Sequence, residues 1–124
     1  MRIKFGYKRI GEAWTNETTL YLIVQSLFPN TTILRHYRPA FLQGLELGLF
    51  IKELNIGIEY QGIQHFKPVA HWGGERAFRQ LKARDKRKQE LCKRVGIDIV
   101  YFTYKDDLTN ELVLRRIKEK AKGL

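Results

Sequence analysis

The sequence predicts an α/β fold built on a mixed sheet, and three observations carry that prediction. Two strand-like runs, LELGLFI (45–51) and LNIGIEYQ (54–61), flank the short polar connection Lys52-Glu53 and read as a hairpin. A long stretch with helical spacing then runs from Gly73-Gly74 to about Val95. After Gly96 comes IDIVYFTY (97–104), the clearest strand in the chain. A helix feeding directly into a strand beside a hairpin implies a sheet with helices on both faces.

The remaining elements come in chain order. Residues 2–10 are basic and weakly patterned, and read as a short strand or arm. Asn16 is the expected N-cap of a helix over about 17–28, which Pro29 ends. TTILRHYR (31–38) is rich in β-branched residues, lies between Pro29-Asn30 and Pro39, and reads as a strand. His65 to Gly74 is a loop carrying Pro68 and Gly73-Gly74, and Gly96 stops the long helix. A last basic helix is expected from about Thr109 to Lys122. The order is α-β-β-β-α-β-α, and 124 residues with 44% hydrophobic side chains suit one domain, 1–124, with one modest core.

Charge narrows the function. Lysine and arginine number 23 against 13 acids, a formal net charge of +10 that favours polyanionic partners. The bland reading of such an excess is solubility alone. Between Glu75 and Arg94, however, nine basic residues face three acids, so the charge is concentrated on one helix. No apolar run approaches the roughly 20 residues needed to span a bilayer, and MRIKFGYKRIGE lacks the apolar core of a signal peptide. Cys92 is the single cysteine, which excludes an internal disulfide and a cysteine-based zinc site. A cytoplasmic protein without membrane contact is expected.

Several polar residues fall where apolar ones belong. In GIEYQGIQH (57–65), Ile56, Ile58 and Tyr60 supply one strand face, while Glu59 and Gln61 share the other. On the long helix Phe78, Leu81, Asp85, Lys88, Cys92 and Val95 share one stripe, which Asp85 and Lys88 interrupt. Lys88 reads there as a snorkelling side chain, and the bland reading of Asp85 is an ion pair with a neighbouring arginine. Glu17 shares a stripe with Leu20, Tyr21, Val24 and Phe28, or simply faces its helix dipole as an N-terminal acid. Carboxylates converging on a low-dielectric interior need a cation. Oxygen ligands on a basic protein point to Mg²⁺ and a phosphate substrate.

On these residues the sequence resembles the PD-(D/E)xK nuclease superfamily. The α-β-β-β-α-β order matches, and Glu59-Tyr60-Gln61 stands as an E-x-Q variant of the third-strand E-x-K. EYQGIQHF followed by RDKRKQELCKRVGIDIVYF is similar to the branch with an E-D-x-H-D pattern, which includes very-short-patch-repair and related homing endonucleases. The resemblance covers roughly residues 11–104. It implies a restriction-endonuclease-like fold and assigns the first Glu to Glu17, the His to His65 and the last Asp to Asp85. One position departs: Gly48 stands where a second-strand acid is expected, and Glu46, two residues earlier, is the candidate substitute.

The expected function is therefore a metal-dependent DNA endonuclease. Glu59, Glu46 and the Tyr60 carbonyl would hold Mg²⁺, or Mn²⁺. Gln61 would hydrogen-bond the attacking water, His65 would act as general base or protonate the leaving oxygen, and Asp85 would orient His65 or reach the metal through water. Arg76, Arg79, Lys82, Lys86 and Arg87 would clamp phosphates of duplex or branched DNA. Trp72 and Phe66 lie in the loop beside the site, where an aromatic wedges or stacks on a base, or caps the core. His36 and His71 read as surface residues. Gly48 favours a catalytically impaired DNA-binding module as the alternative; a basic RNA-binding protein would leave Glu59 and Asp85 unexplained. Whether the chain is a monomer or a homodimer is left open.

Overall fold

A computed structural model describes residues 15–121, so the arm expected at 2–10 lies outside the described residues. Helix α1 spans Asn16–Leu27, strands β1, β2 and β3 span Ile33–Tyr37, Leu47–Ile51 and Ile56–Gln61, and helix α2 spans Gly74–Arg94. Strand β4 (Asp98–Thr103) and helix α3 (Asn110–Lys120) complete the chain. This is the order the sequence predicts, with most ends trimmed by one to three residues, as fraying ends usually are.

The strands lie in sequence order, β1-β2-β3-β4. The first two pairings are antiparallel, and β3 pairs with β4 in parallel through the α2 crossover. The 45–51/54–61 hairpin forms, closed by a single 3-10 turn at Lys52–Leu54 with Asn55 in the left-handed region. The segment leading into α2 is more ordered than expected: a 3-10 turn at Ile63–His65 precedes the 65–74 loop, and a second at Ala70–Trp72 lies within it. Thr15, not Asn16, caps α1: its side chain accepts the Thr18 N–H at 3.0 Å. Asn16 instead donates its amide to the Tyr60 hydroxyl at 2.8 Å, fastening α1 to β3.

Helices cover both faces, because the strands are apolar on both sides. Leu20, Ile23 and Val24 of α1 and Val113 and Ile117 of α3 pack on Leu49, Ile51, Ile56, Ile58, Val100 and Phe102. Leu91 and Cys92 of α2 pack on the opposite face with Leu42, Leu47, Phe50 and Ile97. The stripe read along α2 holds for Cys92, which is fully buried, but Val95 is exposed because the helix ends at Arg94 and Val95 turns away as its C-cap.

The sheet is irregular at one point. Side chains of β2 should alternate strictly, yet Leu47 packs with Phe50 on the α2 face while Leu49 packs on the other. The change of face falls at Gly48. There the β1–β2 register skips a pair, and the opposing His36 takes a left-handed φ of 51°. Leu47 can lie flat over β3 because residue 57 is glycine; a Cβ there would sit 3.0 Å from the Leu47 Cδ1.

Candidate functional site

The β2–β3 ladder pairs Leu49 with Ile58 and goes no further toward Gly48 and Glu59. The regular pairing stops at that point, and a cleft of about 330 Å³ lies between α1, this end of β2 and β3, and α2. Glu17, Glu46, Gly48, Glu59, Tyr60, His65 and Asp85 all line it, together with Arg35, His36, Arg84 and Lys88. Glu59 and Asp85, read as interior from periodicity, are both half-buried in this cleft, whereas Glu17 is exposed and reaches it only from the first turn of α1. Gln61 is not among the lining residues, although period two places it on the Glu59 side of β3.

Glu59 is the centre of this cleft. One carboxylate oxygen accepts the Gly48 N–H at 2.6 Å, at a residue that both flanking ladders leave out. The other accepts from the Lys88 ammonium at 2.6 Å, and the two side chains are only 12% and 15% exposed. Burial of a carboxylate is costly unless it is paired and hydrogen-bonded, and both conditions are met here. Lys88 is thus no snorkelling side chain. Its place on the α2 stripe, three residues from Asp85, was the available signal. Periodicity says that a residue points inward, not what it meets.

Next to this pair, His65 Nδ1 lies 2.9 Å from Asp85 Oδ2, with side chains 15% and 11% exposed. The arginine of the bland reading is not its partner; Asp85 meets the histidine it is expected to orient. The 3-10 turn Ile63–His65 directs the imidazole toward α2, and Asp85 is placed one helical turn before Lys88 to receive it. With a carboxylate at Nδ1, that nitrogen carries the proton and Nε2 is left as the basic nitrogen.

Glu46 has a different environment from the one expected. Its oxygens meet Arg38 Nε at 2.8 Å and His36 Nδ1 at 3.0 Å. The hydrogen bond from His36, with Arg38 beside it, holds the Glu46 carboxyl below its ordinary range. His36 is consequently part of the cleft wall, a role that its strand position alone did not reveal.

The donors do not fit the expected cation in this arrangement. Both oxygens of Glu59 and both of Glu46 are engaged, and position 48 has no side chain. Among the described residues no group of three or more His, Cys, Asp or Glu side chains is placed to hold a metal ion.

The solvent side of α2 is basic. Arg76, Arg79, Lys82, Lys86 and Arg87 are all exposed along α2, and Arg79 forms a loose pair with Glu75 at 3.8 Å. Trp72 is 52% exposed, so it does not cap the core. His71 packs edge-on against it and is not part of the cleft lining. Among the described residues no helix is long and apolar enough to cross a membrane.

Comparison with known proteins adds kinship without function. The chain is 38% identical over 64 residues to "Uncharacterized protein 094L" of Frog virus 3 (isolate Goorha), a match covering 50% of this chain and 41% of that protein. It is 31% identical over 61 residues to "Uncharacterized protein 307L" of Invertebrate iridescent virus 6, covering 48% of this chain and 31% of the relative. The chain thus spans well under half the length of these curated relatives. No family model matches the sequence. No solved structure matches it either.

Proposed function

We propose that this chain acts on the phosphodiester backbone of DNA as an endonuclease-type domain with a restriction-endonuclease-like core. The observation that carries the reading is the pairing of His65–Asp85 beside Glu59–Lys88 at the floor of one cleft. These four residues come from three separate segments, they are ionisable, and their side chains are almost wholly withdrawn from water. The mixed sheet, the helices on both faces and the exposed basic residues of α2 support the same reading.

The chemistry follows from the positions. Asp85 holds the imidazole by Nδ1, which leaves Nε2 to take a proton from a water attacking phosphorus, while the bond from phosphorus to the departing sugar oxygen breaks and that oxygen takes a proton from solvent. Lys88, steered by Glu59, and Arg84 on the same wall supply positive charge where a phosphorane would gain negative charge. The Arg76, Arg79, Lys82, Lys86 and Arg87 side chains bind neighbouring phosphates and set the register of the strand without reading sequence. Magnesium or manganese, which the sequence resemblance implies, would supply Lewis acidity to such a hydrolysis; the donor set as it stands is short of one carboxylate.

That shortage, at Gly48, favours a second reading: a module of the same fold that binds DNA and does not cut it. Nicking of supercoiled plasmid, with Mg²⁺, with Mn²⁺ and with EDTA, separates the two. The endonuclease reading expects nicked product that is lost in His65→Ala. Retardation of DNA without nicking in any of the three conditions would establish the binding module. Binding should weaken with salt at about −0.9 in log K per phosphate contact, giving a slope near −4 to −6 for the α2 residues. Absence of retardation at low salt would refute both readings.

A further inference from the structure

Strands β3 and β4 run parallel and end side by side, with Gln61 opposite Thr103. In open α/β sheets ligands gather just beyond the carboxyl ends of parallel strands. Immediately past these two ends the chain exposes two large rings that the core does not use. Phe66 is 44% exposed and Tyr104 is 39% exposed. Scattered exposed aromatics are ordinary, but these two are built into one feature. Their centroids are 5.7 Å apart with planes inclined by 56°, and the Tyr104 N–H, bonded to the Gln61 carbonyl at 3.1 Å, fixes the second ring against the end of β3. Each ring also carries a cation: the Lys82 ammonium lies 5.8 Å from the Phe66 centroid, and that of Lys105 lies 5.9 Å from the Tyr104 centroid.

Paired rings with a lysine at each are suited to one kind of ligand. A protein partner would use the rings but would leave both ammonium groups to be desolvated without an anion. A duplex would meet the lysines, but its bases are stacked on one another and closed to the rings. A single strand offers a π-face and a phosphate at every step, matching both features together. The location agrees, because Phe66 directly follows His65 of the buried dyad.

We propose that Phe66 and Tyr104, flanked by Lys82 and Lys105, form a stacking platform for an unpaired base, so that the cleft takes single-stranded or locally opened nucleic acid. This substrate class rests on the nucleic-acid reading above and does not require that the chain cleaves. The platform takes the base next to the phosphodiester that approaches His65, and the two lysines contact the phosphates on either side of it.

The test is fluorescence anisotropy with a labelled oligothymidylate and with a duplex of equal length, in EDTA and in the His65→Ala background. The single strand should bind more tightly than the duplex. Phe66→Ala and Tyr104→Ala should each weaken single-strand binding about tenfold, within the range for loss of one stacked base, and alter duplex binding less than about twofold. Phe66→Trp and Tyr104→Phe should retain binding. Lys82→Gln with Lys105→Gln, a change confined to exposed side chains, should lower the salt slope for the single strand by about 1.4, at about 0.7 per phosphate contact. Equal losses on both ligands, unchanged single-strand binding in the alanine variants, or a parent preference for duplex would overturn the platform. So would a dimer, seen by sedimentation, that Phe66→Ala splits, since the patch would then be a self-interface. Plasmid nicking that survives in Phe66→Ala with single-strand preference absent would defeat the platform and leave hydrolysis standing. Loss of nicking in every condition, with the single-strand preference intact, would do the reverse.

Discussion

Replacing Lys88 by methionine removes the ammonium while keeping the length and most of the apolar stem, so it isolates the charge of the Glu59 pair. At 2.6 Å the gross attraction is about 6 kcal/mol for an effective dielectric constant near 20, an amount largely offset by desolvation of both groups. Breaking a fully buried pair from one side costs about 3–5 kcal/mol, because the remaining charge is left alone. Exposures of 12% and 15%, and the Gly48 N–H that still serves Glu59, bring the expected cost of Lys88→Met to about 2–3 kcal/mol. For a chain of this length that corresponds to a melting point lowered by about 6–12 °C. Glu59→Gln should cost less, about 1–2 kcal/mol, since the amide oxygen can still accept from Gly48. Urea denaturation of the parent, both single variants and the double variant measures the coupling, expected at about 1.5–2 kcal/mol. The double variant should accordingly be no less stable than Lys88→Met alone. Coupling below about 0.5 kcal/mol would mean that the two charges do not depend on each other and that Lys88 is a solvated stem.

The same structure sets three further expectations. A Cβ at position 48 would lie 3.3 Å from both the Glu59 carboxylate and the Ile58 carbonyl, so Gly48→Asp should crowd two acids together. It should lower the melting point without added metal and create a Mn²⁺-dependent rise; a melting curve indifferent to Mn²⁺ would refute that geometry. Asp106 receives two bonds of 2.8 Å from Arg116, and this pairing holds its carboxyl below the ordinary 3.8. Its contribution is therefore complete above about pH 4 and lost as the pH falls through the lower folded value. Asp106→Asn should cost about 1–3 kcal/mol at pH 7 and flatten the acid limb of stability against pH, as acid titration followed by circular dichroism would show. Burial pushes the Cys92 thiol from 9.0 up to about 11. The native protein should not react with a disulfide reagent at pH 8 and should react once unfolded in urea. Because the folded value is raised, stability linked to this thiol is full below pH 9 and declines toward pH 11; Cys92→Ala should remove that decline.

Much of the architecture was legible because it depends on local periodicity. Period two in residues 56–61 placed Glu59 opposite Ile56 and Ile58, and a spacing of three and four placed Asp85 and Lys88 on the stripe that ends at buried Cys92. Helix and strand boundaries were less legible. Thr15 and Asn16 are both competent caps, and only the packing of α1 on β3, which gives Asn16 the Tyr60 hydroxyl, decides between them. Pro68 and the glycines mark an open loop at 65–74, but the turn Ile63–His65 just before it, closed by the His65 N–H on the Gly62 carbonyl, delivers His65 to Asp85.

By itself, then, the sequence determined the order of elements, the sheet with helices on both faces, the inward placement of Glu59, Asp85 and Lys88, and the basic charge of α2. The tertiary structure alone decided partners. Glu59 meets Lys88 across 29 residues and Gly48 across 11, and His65 meets Asp85 across 20. Glu46 is drawn to His36 and Arg38 because β2 changes face at Gly48, where His36 turns left-handed and the β2–β3 ladder stops. The side-chain direction of a residue follows from the dihedrals of its own segment, so a local pattern can state it. What that side chain touches depends on how far two segments slide and rotate against each other. That is settled by the packing of the whole sheet between its helices.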